Sequence, residues 1–246
     1  MTCLAAGREH LPLAYGVGMS DAVKPPDEVF CMGCGPGTIM EADPRAQRLC
    51  CPRCGSESWL PALPLFVVTG ASGTGKSTIT EPLRSLLPGC LVFETDVILH
   101  VAALGWDTWR NTWLQLAHAA ALGGRTTVLT GSLTPDQLER LPARKLIGPI
   151  HFALLDCPDE VLTARLRARP AWRFSSIEAQ IIEHQRFAAW LRARITPSFD
   201  TSTASAAEVA DRIAAWVQAL LPATEASVAS GSVAEGGRAA AVDRHD

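Results

Sequence analysis

Three features of this 246-residue chain predict an α/β fold built from parallel strand–helix–strand units. Short apolar runs alternate with helical patterns of roughly ten to fifteen residues. A glycine-rich turn between the first run and its helix has the spacing of a phosphate-binding loop. Ahead of that alternation stand two Cys-x-x-Cys pairs, where a small metal-held module would sit.

The elements follow in order. "LFVVT" (Leu65 to Thr69) is a short apolar run before a Gly-rich turn and reads as a buried strand. Lys76 to Leu87 reads as a helix, with Pro82 expected to bend it or shift its start. "CLVFET" (Cys90 to Thr95) is a second strand. Asp107 to Leu122 is a helix closed by Gly123 and Gly124. "TTVLTG" (Thr126 to Gly131) and "IHFALLD" (Ile150 to Asp156) are the third and fourth strands. Pro158 to Arg169 reads as a helix, and Ile177, Ile181, Ala188 and Leu191 recur at the spacing of another. "ITPSFDTS" has room for a short fifth strand, and Glu208 to Leu221 is a last amphipathic helix. Residues 1–27 show no sustained period and read as a loose arm. Residues 28–60 carry the cysteine pairs, and "LPALP" (Leu60 to Pro64) is a stiff linker. The folded domain is expected over 64–221. Residues 222–246 are Ala, Ser and Gly with few large apolar groups, a composition that cannot offset its ordering entropy.

Composition narrows the function classes. The hydrophobic share of 48% is enough to bury a sizeable core, and the net charge of −3 asks for neither nucleic acid nor an anionic membrane. The first 60 residues carry five Lys/Arg against seven Asp/Glu. No apolar run is long enough to span a bilayer, and the start lacks the pattern of a secretory signal. Paired thiols and a phosphate-handling loop together lead to the expectation of a reducing cytoplasm.

The loop is the strongest signal. Gly70-Ala71-Ser72-Gly73-Thr74-Gly75-Lys76-Ser77, followed by Thr78, matches G-x-x-x-x-G-K-S/T in full, after a buried strand and at the opening of a helix. Glycines let backbone N–H groups curl round phosphate oxygens, and the helix N-terminus adds further unpaired donors. Lys76 supplies a charge to the terminal phosphates of ATP, and Ser77 offers a hydroxyl to magnesium. At the end of the second strand, Glu94 and Asp96 would face the γ-phosphate. Asp96 is the candidate to take a proton from an acceptor hydroxyl, with Glu94 assisting magnesium or substrate. The bland alternative makes Asp96 the cap of a following helix, and His100 reads as a helix-surface histidine. Between Val161 and Arg194 stand seven arginines and two glutamates. Arg165 and Arg169 share a helix face, Pro170 breaks the helix, and Trp172 and Arg173 follow in a loop, the pattern of a lid over the phosphates. A solvated arginine face is the alternative.

Taken together, the phosphate loop, "ETD" after the second strand, "RLRAR" before a proline, and "FDTS" near the end resemble the P-loop small-molecule and nucleotide kinases. These include nucleoside monophosphate, shikimate and gluconate kinases and chloramphenicol phosphotransferase. The resemblance spans Leu65 to Leu221. It implies a five-stranded parallel sheet in the order 2-3-1-4-5 and a mobile lid. It also implies that Asp96 orients the substrate, that Arg165 lies against adenine, that Arg169 and Arg173 act from the lid, and that the loop at Asp200 and Thr201 borders the base. Leu99 to Trp113 would form the acceptor region, with Arg110 a substrate contact. Trp106, Trp109 and Trp113 would either stack on a ring or form a buried stripe. The chain departs from the pattern at the third strand, which ends "LTGSL" without an acid. Asp156 fits the missing magnesium-binding carboxylate only literally, on the fourth strand, and Glu94 or Asp96 is the substitute.

Cys31-x-x-Cys34 and Cys51-x-x-Cys54 are 16 residues apart, the arrangement of a four-thiolate structural zinc site, each pair followed by Gly. Cys50 could replace Cys51, although Pro52 suits a knuckle begun at Cys51. The segment resembles a zinc ribbon, too small to build its own core without metal. Its charge disfavours nucleic acid as a partner. The expected function is an ATP- and magnesium-dependent phosphotransferase acting on a small molecule, such as a nucleoside, a nucleotide or an antibiotic of the nucleoside or aminoglycoside type. The alternative is a nucleic-acid-directed ATPase or polynucleotide 5′-kinase using the ribbon. Docking to a protein, formation of a homodimer, or a wall for the acceptor pocket are the remaining expectations for the ribbon.

Overall fold

The structure is a computed structural model, and it describes residues 29–43, 46–170 and 176–221. The expectations for residues 1–27 and 222–246 and for Arg173 lie outside the described residues. Among the described residues, ten strands form three sheets. Strands β1 (Phe30–Cys31) and β2 (Gly35–Ile39) pair antiparallel. Strands β3 (Glu41–Asp43), β4 (Arg48–Cys50) and β5 (Glu57–Trp59) make a small antiparallel sheet. The main sheet contains β6 (Leu65–Thr69), β7 (Cys90–Glu94), β8 (Thr126–Thr130), β9 (Ile150–Asp156) and β10 (Ser198–Asp200). All its pairings are parallel, and its order is β10-β9-β6-β8-β7. Counted within the domain this is the expected 2-3-1-4-5.

The helices are α1 (Lys76–Leu86), α2 (Trp106–Leu122), α3 (Pro135–Glu139), α4 (Asp159–Arg167), α5 (Ile177–Arg192) and α6 (Ala206–Leu220). Helix α1 begins at Lys76 and runs through Pro82, so the proline does not shift its start. Tight 3-10 segments occupy Thr95–Leu104 and Pro142–Leu146. The first carries a kink at Ile98 (φ −115°, ψ 28°). The sequence reading did not place α3 or either segment. None of the described helices is long and apolar enough to cross a membrane.

Side-chain alternation along the central strand splits the core into two layers. Leu65 and Val67 point into a cluster with Leu129, Trp109, Trp113 and Leu114. Phe66 and Val68 point to the other face, where α1 and α6 close over Val128, Ala153 and Leu155. The cysteine-rich segment does not stand apart from the first layer. Cys31, Met40, Leu49, Cys51 and Leu60 belong to the same cluster as Trp113 and Leu129. Leu60, expected in a linker, is 1% exposed.

Candidate phosphoryl-transfer site

The site forms at the carboxyl ends of the main strands, where open parallel sheets present their ligand crevice. The loop after β6 turns twice through left-handed backbone, at Gly73 (φ 96°) and Gly75 (φ 99°), as a loop folding its N–H groups inward requires. Gly70 has no room for a side chain: a Cβ there would lie 2.6 Å from Thr74 Oγ1 and against the Leu155 carbonyl. Lys76 Nζ donates to the carbonyls of Gly70 and Ala71, 2.8 Å each. Its desolvation pushes its pKa down to about 8, nearby Asp96 and Glu94 opposing the fall and Arg169 adding to it.

Around the loop lies a cavity of ≈ 790 Å³. The loop residues Gly73, Gly75, Lys76, Ser77 and Thr78 line it, together with Glu94, Asp96, Arg165, Arg169 and Thr201. The structure therefore brings together in one cavity most of the residues singled out from the sequence. Arg165 spans two of its walls. It donates to Thr201 Oγ1 (2.8 Å) and the Thr201 carbonyl (2.6 Å), and to the Gly73 carbonyl at 3.4 Å. Arg169 donates to Ser72 Oγ at 2.8 Å, so its charge sits at the rim of the phosphate loop. Ala204, Ala206 and Val209 line the same cavity beside Thr201 and give it an apolar end.

The residues at the mouth of the loop are of the kind that hold magnesium. The Ser77 hydroxyl donates to Glu94 Oε1, which brings a hydroxyl and a carboxylate into contact at the mouth of the loop. Asp96 stands exposed in the same cavity. A set of hard oxygen donors beside a phosphate cradle suits magnesium. The third strand ends in hydroxyls instead of an acid: Thr130 bonds Thr80 at 2.8 Å, and Ser132 donates to the Gly70 carbonyl at 3.0 Å. Parallel pairing sets Glu94 beside Thr130, so the neighbouring strand supplies the carboxylate. Asp156 is otherwise engaged, accepting from Arg192 at 2.7 Å.

None of the residues from Leu99 to Trp113 lines the cavity. Arg110 does not line the cavity; it pairs with Asp107 at 2.9 Å and lies over the Trp106 ring at 5.8 Å. Trp109 (4%) and Trp113 (1%) are core, whereas Trp106 is 56% exposed, so the tryptophan stripe divides between burial and surface. His100 is exposed and outside the cavity. Val97, Thr130, Gly131 and Ser132, all lining the cavity, were not singled out from the sequence. The turn "LTGSL" carries the last three, and Val97 directly follows "ETD".

The four cysteines pass their own fit test. The sulfurs of Cys31, Cys34, Cys51 and Cys54 lie within 4.8 Å of one another. The Cys31–Cys54 and Cys34–Cys51 Sγ separations are 3.7 and 3.9 Å. Tetrahedral zinc with bonds of about 2.3 Å holds its sulfurs about 3.8 Å apart. The Cys54 N–H donates to Cys51 Sγ at 3.5 Å, as a metal knuckle requires. Cys50 turns away toward Glu57 Oε1, which leaves Cys51 as the ligand.

Fold and site together give an α/β protein whose five-stranded parallel sheet has the order 2-3-1-4-5 and whose first strand leads into a complete phosphate-loop sequence. No family model matches the sequence, and no curated protein matches it. Solved structures do. The chain is similar to a sugar kinase of Janibacter sp. at 20% identity and TM-score 0.49, over 63% of this chain and 95% of that one. It is similar to the tunicamycin resistance protein of Deinococcus radiodurans at 23% identity and TM-score 0.48, over 63% and 95%. It is also similar to a shikimate kinase of Acinetobacter baumannii at 18% identity and TM-score 0.43, over 65% and 96%. At such distances the functional reading rests on the residues of this chain.

Proposed function

We propose that the chain is an ATP-dependent kinase that transfers a phosphoryl group to a hydroxyl of a small molecule. One observation carries the reading: Lys76, Arg165, Arg169, Glu94 and Asp96 line a single cavity whose floor is a complete phosphate loop. A nucleotide would enter with its base against the joined surface of Arg165 and the Thr201 loop and its phosphates in the cradle. Ser77 and Glu94 would hold magnesium, which when bound neutralises charge on the phosphate oxygens. Asp96 takes the proton as the acceptor oxygen bonds to the γ-phosphorus. The bond from that phosphorus to the bridging oxygen breaks, and ADP leaves. Arg169 and Lys76 stabilise the charge on the transferring group.

A small acceptor is favoured over nucleic acid by the ribbon's surface, where Arg48 is paired with Glu57 at 2.7 Å and with Asp43 at 3.7 Å. A reducing, ATP-rich compartment suits the reading, since none of the described cysteines is in a disulfide and four of them are grouped as metal ligands would be. Nucleosides, nucleotides and antibiotics of the nucleoside or aminoglycoside type are the acceptor classes to screen by ATP consumption. With any acceptor found, Lys76→Ala abolishes transfer. Asp96→Asn retains MgATP binding and slows turnover about 10²–10⁴-fold, the usual worth of a general base. Wild-type turnover in Asp96→Asn removes that residue from the mechanism. Absence of heat on titrating MgATP into the folded protein overturns the proposal.

A further inference from the structure

The cavity's charges are unevenly placed. Among the described residues its cations are Lys76, Arg165 and Arg169, and each is held at the nucleotide end by a bond to the phosphate loop or to Thr201. The wall toward the acceptor is Glu94, Asp96, Val97, Thr130, Gly131 and Ser132, two carboxylates and no cation. Between Val97 and Trp109 the chain has no lysine or arginine. Arg110, the next guanidinium, is 14% exposed, lies outside the cavity lining and is tied to Asp107, which it shares with Arg140. Among the described residues, no side-chain cation on this wall is placed to receive a carboxylate or a phosphate of the acceptor.

The same wall opens onto apolar surface. Directly after Asp96 the chain exposes Val97 (65%), Leu99 (43%), Leu104 (77%) and Trp106 (56%). Isolated exposed apolar groups are ordinary, but four within one short segment beside a reaction cavity mark a binding surface. Val97 itself lines the cavity, so this surface begins inside the site. The segment's other apolar residues, Ile98, Val101 and Ala102, face the core, which anchors the exposed ones from behind.

Resting on the kinase reading, we propose that the acceptor is an amphipathic alcohol: a hydroxyl-bearing head without anionic groups, joined to an apolar moiety that lies on Val97 and the exposed side chains after it. The carboxylate wall receives the hydroxyl and repels anions, and the apolar segment supplies affinity.

The test is calorimetry with magnesium and a non-hydrolysable ATP analogue bound, using a glucoside and a nucleoside head group, each as methyl, hexyl and carboxylate derivatives. Hexyl forms should bind at least about tenfold tighter than methyl forms, a factor equal to about 1.4 kcal/mol, and carboxylates weakest. Val97→Asp and Trp106→Ala should erase the hexyl advantage. Leu122→Asp, at an exposed position at the far end of α2, should keep it. Equal binding of methyl and hexyl forms, tightest binding of a carboxylate, no binding by any hexyl form, or an advantage that survives Val97→Asp each overturns the inference. Failure of the ATP analogue itself to bind sinks the kinase reading instead, so the two failures are told apart in one set of titrations.

Discussion

Lys76 faces two opposing demands. It must be charged to grip phosphate, yet it lies desolvated against the loop carbonyls, and its pKa falls from 10.5 to about 8. In the unfolded chain the same lysine keeps its proton to the higher value, so between about pH 8 and 10.5 the unfolded state binds more protons than the folded one. The penalty of the buried charge is in full force below about pH 8 and is relieved as pH rises through that window. Stability of the nucleotide-free protein should rise over it, while affinity for MgATP falls as the ammonium is lost. Calorimetric Kd and chemical denaturation measured across that range check both signs, and Lys76→Met should flatten the stability trend. A second prediction concerns Glu94. If it completes the magnesium site with Ser77, Glu94→Gln should raise the magnesium needed for half-maximal turnover roughly 10–100-fold, with acceptor KM little changed. The sequence placed Lys76 and Ser77 in their roles because the loop is contiguous. It left the carboxylate open between Glu94 and Asp96, because only the parallel ladder of β7 and β8 shows which acid reaches the serine hydroxyl.

Among the elements, the strands and long helices were legible because each carries its own apolar period. The 3-10 segment Thr95–Leu104 has no such period, being almost uniformly apolar, so the sequence identified an acceptor region there without a shape. Its position is fixed by close packing. Thr95 is fully buried, its carbonyl accepts from Trp113 Nε1 at 3.3 Å, and it presses on Gly131 at the end of β8. A Cβ on Gly131 would lie 2.6 Å from Thr95 Cγ2 and 2.8 Å from Thr95 Cβ, as well as against Thr95 Oγ1. Gly131→Ala should therefore cost about 1–3 kcal/mol through overpacking, lowering Tm by roughly 2–4 °C for each kcal/mol. It should also reduce kcat more than it raises KM for ATP, because the displaced residue is the neighbour of Asp96. Thr95→Ala removes the colliding atoms, and Thr95 Oγ1 has no partner to lose. The double variant should recover most of the lost stability. Strict additivity of the two changes would show that the contact does not matter.

On the scale of the molecule, Cys31, Cys34 and Cys51 and the inward-facing residues of the segment Thr95–Leu104 belong to one core. Paired Cys-x-x-Cys spacing implies a ribbon held together by metal, but not where that ribbon rests. Placement depends on long-range burial that no local pattern encodes: Cys31, Leu49, Cys51 and Leu60 close over the layer that contains Trp109, Trp113 and Leu133. Trp113 in turn bonds the residue before Asp96 and packs on Phe93 with ring centroids 5.7 Å apart. The phosphate loop and helices α1 and α6 pack on the opposite face of the sheet or at its end, outside this cluster. Loss of metal should then act unequally on the two halves of the site. Cys51→Ser, or removal of zinc by a chelator, should lower the melting temperature and raise KM for the acceptor or reduce kcat. The Kd for MgATP should stay within about threefold of wild type. Elemental analysis establishes the starting zinc content, and melting with nucleotide titration of the same samples reads the asymmetry. Parallel loss of nucleotide and acceptor binding would mean that the ribbon supports the domain as a whole. No change in either, with zinc shown to be gone, would mean that apolar burial alone holds the ribbon in place.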